Sequence, residues 1–162
     1  MQIPDFWDDL QPVFEGRAEQ LQEIDLVNIS KGSMAQCIYY LLTRAKECNS
    51  KFMLRDNKTQ VMLPSPTTVI DYVLQGQVTM AMWITLPAIP MLSVYIDFTD
   101  EISFGYVRGS WDAMAVLAFF DMLYEIKQLC PHSVIRPSTY TYTVQERNAI
   151  KHFWKDYDHA SE

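Results

Sequence analysis

The sequence predicts an α+β fold, with a single antiparallel sheet (a meander of at least three strands) packed with amphipathic helices. Three observations carry this. Apolar and polar residues alternate through three consecutive short runs between Val78 and Val107, the period-2 signature of strands joined by turns. Helical periodicity recurs on both sides of that block. Residues 59–107 contain no Lys or Arg, although the chain carries 13, which fits a sheet at the centre of the fold.

Residues 5–24 are expected to be helical. Pro4 suits a first helical turn, and Asp5, Asp8 and Asp9 lie where the helix dipole favours acids. Pro12 and Gly16 interrupt the pattern. Between Ser33 and Cys48, the residues Met34, Cys37, Ile38, Leu41, Leu42 and Ala45 trace one helical stripe, with Arg44 and Lys46 at its end. Cys37 and Cys48 read as packing residues of that stripe. Phe52–Arg55 and Gln60–Leu63 flank Asp56-Asn57-Lys58, a hairpin turn built on Asp and Asn chemistry. Ser65-Pro66 predicts an N-cap followed by a proline at the first helical position, with Gly76 as terminator. The β-branched Thr67, Thr68, Val69, Ile70 and Val73 leave 67–75 open to a strand as well.

The meander follows. Val78, Met80, Met82, Ile84 and Leu86 share one face of a strand, and Thr79, Ala81, Trp83 and Thr85 share the other. Leu92, Val94, Ile96 and Phe98 alternate with Ser93, Tyr95, Asp97 and Thr99. Ile102, Phe104 and Tyr106 continue the pattern after an Asp100-Glu101 turn. Ser110 is expected to cap a helix over 111–129. Its stretch 113–120 is apolar all round, which predicts the most buried helix of the fold. A short edge strand is expected between Pro131 and Tyr142. Thr143-Val144-Gln145-Glu146 is a capping box, opening a final helix near 144–157 with the stripe Ala149, Ile150, Phe153, Trp154 and Tyr157.

The 162 residues (18.9 kDa) fit one domain. With 49% hydrophobic and 13% aromatic residues, disordered and collagen-like classes are excluded. The net charge of −7 is uneven, since residues 1–30 hold seven acids and one base while 31–58 hold six bases and two acids. A surface of that sign repels phosphate, so no nucleic acid is expected as partner. The basic segment 31–58 lacks interleaved aromatics and reads as a solvated helix face. Three cysteines form no paired framework, the N-terminus is no secretory signal, and no apolar run reaches 18 residues. A cytoplasmic location and no membrane contact are the expectation.

Catalytic and metal motifs are missing. There is no C-x-x-C, H-x-x-x-H or H-E-x-x-H spacing among His132, His152, His159 and the cysteines, and His152 with Asp156 reads as a solvated pair. Nucleophile-elbow, S-x-x-K and P-loop patterns are absent. Cys130 stands two residues from His132, but a helix C-terminus disfavours a thiolate. Arg108, Gly109 and Ser110 precede a helix start that suits an anion, although Asp112 already supplies negative charge there. No cofactor, metal or catalytic residue is therefore expected.

Asp97, Asp100 and Glu101 cluster at one turn with no base near them in sequence. Such a trio serves a divalent cation or acid–base step, a solubilising turn, or a negative knob for a basic partner. Tyr106, Arg108, Trp111 and Asp112 follow closely and belong to the residue types that anchor interfaces or extend the acidity. These seven are the expected partner-binding residues, with Asp8 and Asp9, beside Trp7, as a second patch. The expected function is a non-enzymatic acidic protein-binding protein, of inhibitor or immunity type, masking the basic face of a toxin- or nuclease-like partner. The alternatives are a secretion-type chaperone or dimeric adaptor using the apolar helix as a homodimer seam, and a small-ligand domain or enzyme using carboxylates at the sheet end.

Overall fold

A computed structural model describes residues 4–16, 21–62 and 65–160. The alternation in the sequence becomes seven antiparallel strands in one sheet. In chain order the elements are α1 (Pro4–Phe14), β1 (Leu21–Val27), α2 (Lys31–Arg44), β2 (Glu47–Leu54), β3 (Gln60–Val61), α3 (Pro66–Leu74), β4 (Val78–Leu86), β5 (Ile89–Ile96), β6 (Glu101–Val107), α4 (Ala113–Leu129), β7 (Val134–Pro137) and α5 (Val144–Ala160). The strand order is β3-β2-β4-β5-β6-β1-β7. This is the expected α+β architecture, with the predicted meander β4-β5-β6 at its centre and β7 as the expected edge strand.

The register follows the sequence pattern. Met80 pairs with Ile96, Met82 with Val94 and Ile84 with Leu92, so like residues meet across strands and one face becomes apolar. Val78, Met80, Met82, Ile84, Leu86, Leu92, Val94, Ile96, Ile102 and Phe104 are all buried. The helices cover that face. Phe119 of α4 packs edge-on against Phe104 at 6.4 Å and against Tyr106 at 6.2 Å, and Phe14 of α1 stacks on Tyr106 at 4.7 Å. Phe153 of α5 reaches the same cluster through Phe120 at 4.7 Å.

Several expectations are corrected. The helix proposed for 5–24 ends at Phe14, and Leu21–Val27 is a strand between β6 and β7. Gln22, Ile24 and Leu26 are buried in strand alternation, a period hidden in the sequence by the acids Glu23 and Asp25 on the opposite face. Helix α2 stops at Arg44, because Lys46 N–H bonds Thr85 O and enters the sheet. Cys48 is therefore an exposed strand residue, not part of a helical stripe. Lys51 lies on β2 and Lys58 in the β2–β3 turn, so the basic segment is not one helix face. Residues 67–75 resolve as helix, with the Ser65 hydroxyl accepting from Thr68 N–H at 3.3 Å. The cap of α4 is Asp112, not Ser110. Its carboxylate accepts from Ala115 N–H at 2.8 Å, placing negative charge at the positive helix end. The α5 capping box forms as expected, with Thr143 N–H to Glu146 Oε2 at 2.7 Å and Glu146 N–H to Thr143 Oγ1 at 3.2 Å.

Candidate functional site: the uncovered face of the sheet

Because strand side chains alternate, packing the described helices on one face leaves the other free of described helices. Odd-numbered residues of β1, β2, β4 and β6, and of β5 beyond the register shift that turns Ile89 inward, form that outer face. One row across it reads Asn49, Trp83, Ser93, Gly105 and Glu23, and the next reads Lys51, Ala81, Tyr95, Ser103, Asp25 and Arg136. Trp83 and Tyr95 are half-buried among small neighbours. Gly105 keeps the centre low, since a Cβ there would stand 3.2 Å from Leu21 Cδ1 and 3.4 Å from Ser93 Cβ. Lys51 Nζ lies 5.5 Å from the Trp83 ring at the β2 side.

The β1–β6 half of this face is acidic. Glu23, Asp25 and Glu101 project from neighbouring strands, and Asp97 and Asp100 are exposed in the β5–β6 turn beside them. Arg136 of β7 answers the group, donating to Asp25 at 3.2 Å and to Glu101 at 3.1 Å. Ser103 adds a 2.8 Å hydrogen bond to Asp25. Burial, reinforced by the Asp25 charge, pushes the Glu23 carboxyl up from its usual value. No salt bridge reaches Asp97 or Asp100 among the described residues. Arg55 serves the Asp97 backbone instead, donating to its carbonyl oxygen.

Of the residues expected to bind a partner, Asp97, Asp100 and Glu101 lie together at the rim of this face. Tyr106, Arg108 and Trp111 do not, because all three are buried. Tyr106 points to the helical side, donating to Val13 O at 3.3 Å and accepting from Tyr142 at 2.9 Å. Burial pushes its phenol well above the usual tyrosine value, beyond any role as an ionised group. The Trp111 indole N–H donates to Val107 O at 3.1 Å. Arg108 spans Pro12 O at 3.0 Å and Glu146 at 2.7 Å. Gly109 N–H is occupied by Phe14 O, so the segment before α4 holds no anion cradle. Asp112 is exposed but committed to its cap. Asp8 and Asp9 are exposed on α1, on the helical side and away from the acidic rim.

Trp83, Glu23 and Asp25 were not among the expected residues. The alternation that defines β4 already sorts Trp83 outward with Thr79, Ala81 and Thr85, so the signal for it was present. Glu23 and Asp25 were obscured by the helical reading of their segment.

Among the described residues, no three His, Cys, Asp or Glu side chains are placed to hold one metal ion. No described helix is long and apolar enough to cross a membrane. Comparison with family models, with curated proteins and with solved structures finds no match to this chain.

Proposed function

We propose that this chain is a non-enzymatic protein-binding protein that uses the uncovered sheet face to mask a basic surface of another protein. The observation that carries the reading is the sharing of one helix-free face by carboxylates on β1, β6 and the β5–β6 turn and by two rings, Tyr95 on β5 and Trp83 on β4. The carboxylates are Glu23, Asp25, Asp97, Asp100 and Glu101; Arg136 pairs with the buried Asp25 and with Glu101, and Arg55 binds only the Asp97 backbone. Charge of one sign steers a basic partner, and rigid aromatics among small residues supply contact area at low entropic cost. Gly105, Ser93, Ser103 and Ala81 make the centre flat enough for a loop or helix of the partner to approach the aromatic rings. An inhibitor or immunity-type role follows from this geometry when the masked basic surface is a partner's working site.

Site-specific photo-crosslinking in the native host tests the proposal. A benzophenone side chain replaces Ser93 on the sheet face or, as the counterpart, Tyr39 on α2. The reading requires a product at Ser93 with a protein bearing a basic surface patch, lost when Asp97→Lys and Asp100→Lys are combined. Crosslinks from Tyr39 alone, an acidic partner, or a second copy of this chain at Ser93 each overturn it. The last outcome would favour the dimeric adaptor.

A further inference from the structure

Two of the three cysteines are buried together. Cys37 on the inner side of α2 and Cys130 at the C-cap of α4 bring their sulfurs to 3.8 Å, although 93 residues separate them in the chain. Neither belongs to the sheet face. Cys130 is anchored by its hydrogen bond to Ile126 O at 2.9 Å, so its Sγ is held beside its partner. A narrow crevice of about 40 Å³ runs to Cys130 between Asn28, Ser30, Ser33, Pro131 and His132. That space admits a molecule of the size of water or hydrogen peroxide but not a peptide disulfide.

We propose that Cys37 and Cys130 are a peroxide-oxidisable dithiol that closes to an internal disulfide, stapling α2 to the end of α4. The electron balance needs only a hydroperoxide. The Cys130 sulfur attacks one peroxide oxygen. An S–O bond forms, the O–O bond breaks, and the leaving hydroxide takes the thiol proton as water. The resulting sulfenic acid is then attacked by Cys37, forming the S–S bond and releasing the second water. Sulfur is oxidised by two electrons overall and the peroxide is reduced by two. Closure requires the sulfurs to move from 3.8 Å to about 2.05 Å, a side-chain rotation and not a domain movement. Cys130 is the attacking sulfur because the crevice reaches it and not Cys37; the hydrogen bond from Cys37 lowers its thiol against burial and against the helix C-terminus. The exposed Cys48 has no such neighbour.

The test uses the full chain carrying Cys48→Ser, which removes the surface thiol and leaves the pair intact. Dilute hydrogen peroxide is followed by alkylation, intact mass measurement and peptide mapping. The expected product is a monomer lighter by about 2 Da, with Cys37 linked to Cys130, reversed by dithiothreitol. Its melting temperature should exceed that of the reduced form by on the order of 5–15 °C, because a long loop is closed. In Cys37→Ser/Cys48→Ser, Cys130 should stop at a sulfenic acid, read as a mass gain of about 16 Da and captured when the chain is unfolded in the presence of dimedone. Sulfinic acid on Cys130 with Cys37 still a free thiol, a disulfide between two chains, or unreacted thiols in the folded protein would each overturn the proposal.

Discussion

Arg108 and Glu146 meet at 2.7 Å with 10% and 17% of their side chains exposed. The pair ties the end of β6 to the first turn of α5, and the second arm of Arg108 reaches Pro12 O in α1. A charge that in sequence reads as an interface anchor is therefore the joint of three elements. Breaking one partner of a buried pair leaves the other poorly solvated.

Arg108→Met should cost about 2–4 kcal/mol in urea unfolding at pH 7. The pH dependence fixes its origin. Burial alone would raise the Glu146 carboxyl, but the Thr143 N–H and the Arg108 guanidinium outweigh it and hold the group below its ordinary value of 4.5. A depressed folded value contributes stability that is fully present above the unfolded value and is lost as pH falls through the folded one. Wild type and Arg108→Met should therefore converge in stability as the pH is lowered well below 4.5. A difference that persists unchanged into acid would assign the loss to packing alone.

Glu23 should behave in the opposite sense. Burial and the Asp25 charge raise its folded value, so its ionised form destabilises the native state. That penalty is absent below the unfolded value and complete above the folded one. Glu23→Gln should raise the melting temperature at pH 7 and have no effect in acid, read by calorimetry across the range.

Phe119 lies at the crossing of α4 with the sheet, fully buried among Phe14, Phe104, Trp111 and Phe120. Phe119→Asp would place a carboxylate there without a partner, at a cost of about 3–5 kcal/mol. Loss of the soluble, cooperatively melting protein is the expected result. A wild-type melting curve would show α4 to be peripheral.

Trp83→Ala and Tyr95→Ala should each weaken partner binding about tenfold or more, measured by titration calorimetry. Their melting temperatures should fall by only a few degrees, since both side chains are half-buried on the outer face. Tyr39→Ala, on the helical side, should leave affinity unchanged.

The architecture was legible wherever one physical period dominated. The meander's alternation marks β4 and β6 to within a residue, while β5 begins three residues before the expected Leu92, and Ser65-Pro66 and the Thr143–Glu146 box mark true helix starts. It was illegible where two signals competed. In β1 the polar outer face of a sheet and the polar face of a helix read alike over seven residues, so Glu23 and Asp25 masked a strand. Before α4, Ser110 and Asp112 both qualify as caps, and the buried Trp111 decides between them by occupying the turn. Charge alone marks the acidic rim in the sequence, whereas Tyr106, Arg108 and Trp111 have the residue types of an interface on the buried side of the fold. Tyr106 is even-numbered on β6 and Trp83 odd-numbered on β4, and that parity separates a core ring from a surface one.

Stopped-flow association with the crosslinked partner tests the central proposal most directly. The rate should fall steeply as salt rises, and should drop about tenfold or more at low salt in Asp97→Lys/Asp100→Lys. Asp8→Lys/Asp9→Lys, the same charge change on α1, should slow it far less, and neither pair should alter the melting temperature appreciably. An on-rate unchanged by the rim substitutions, or lowered equally by those on α1, would contradict the assignment of the sheet face as the binding surface.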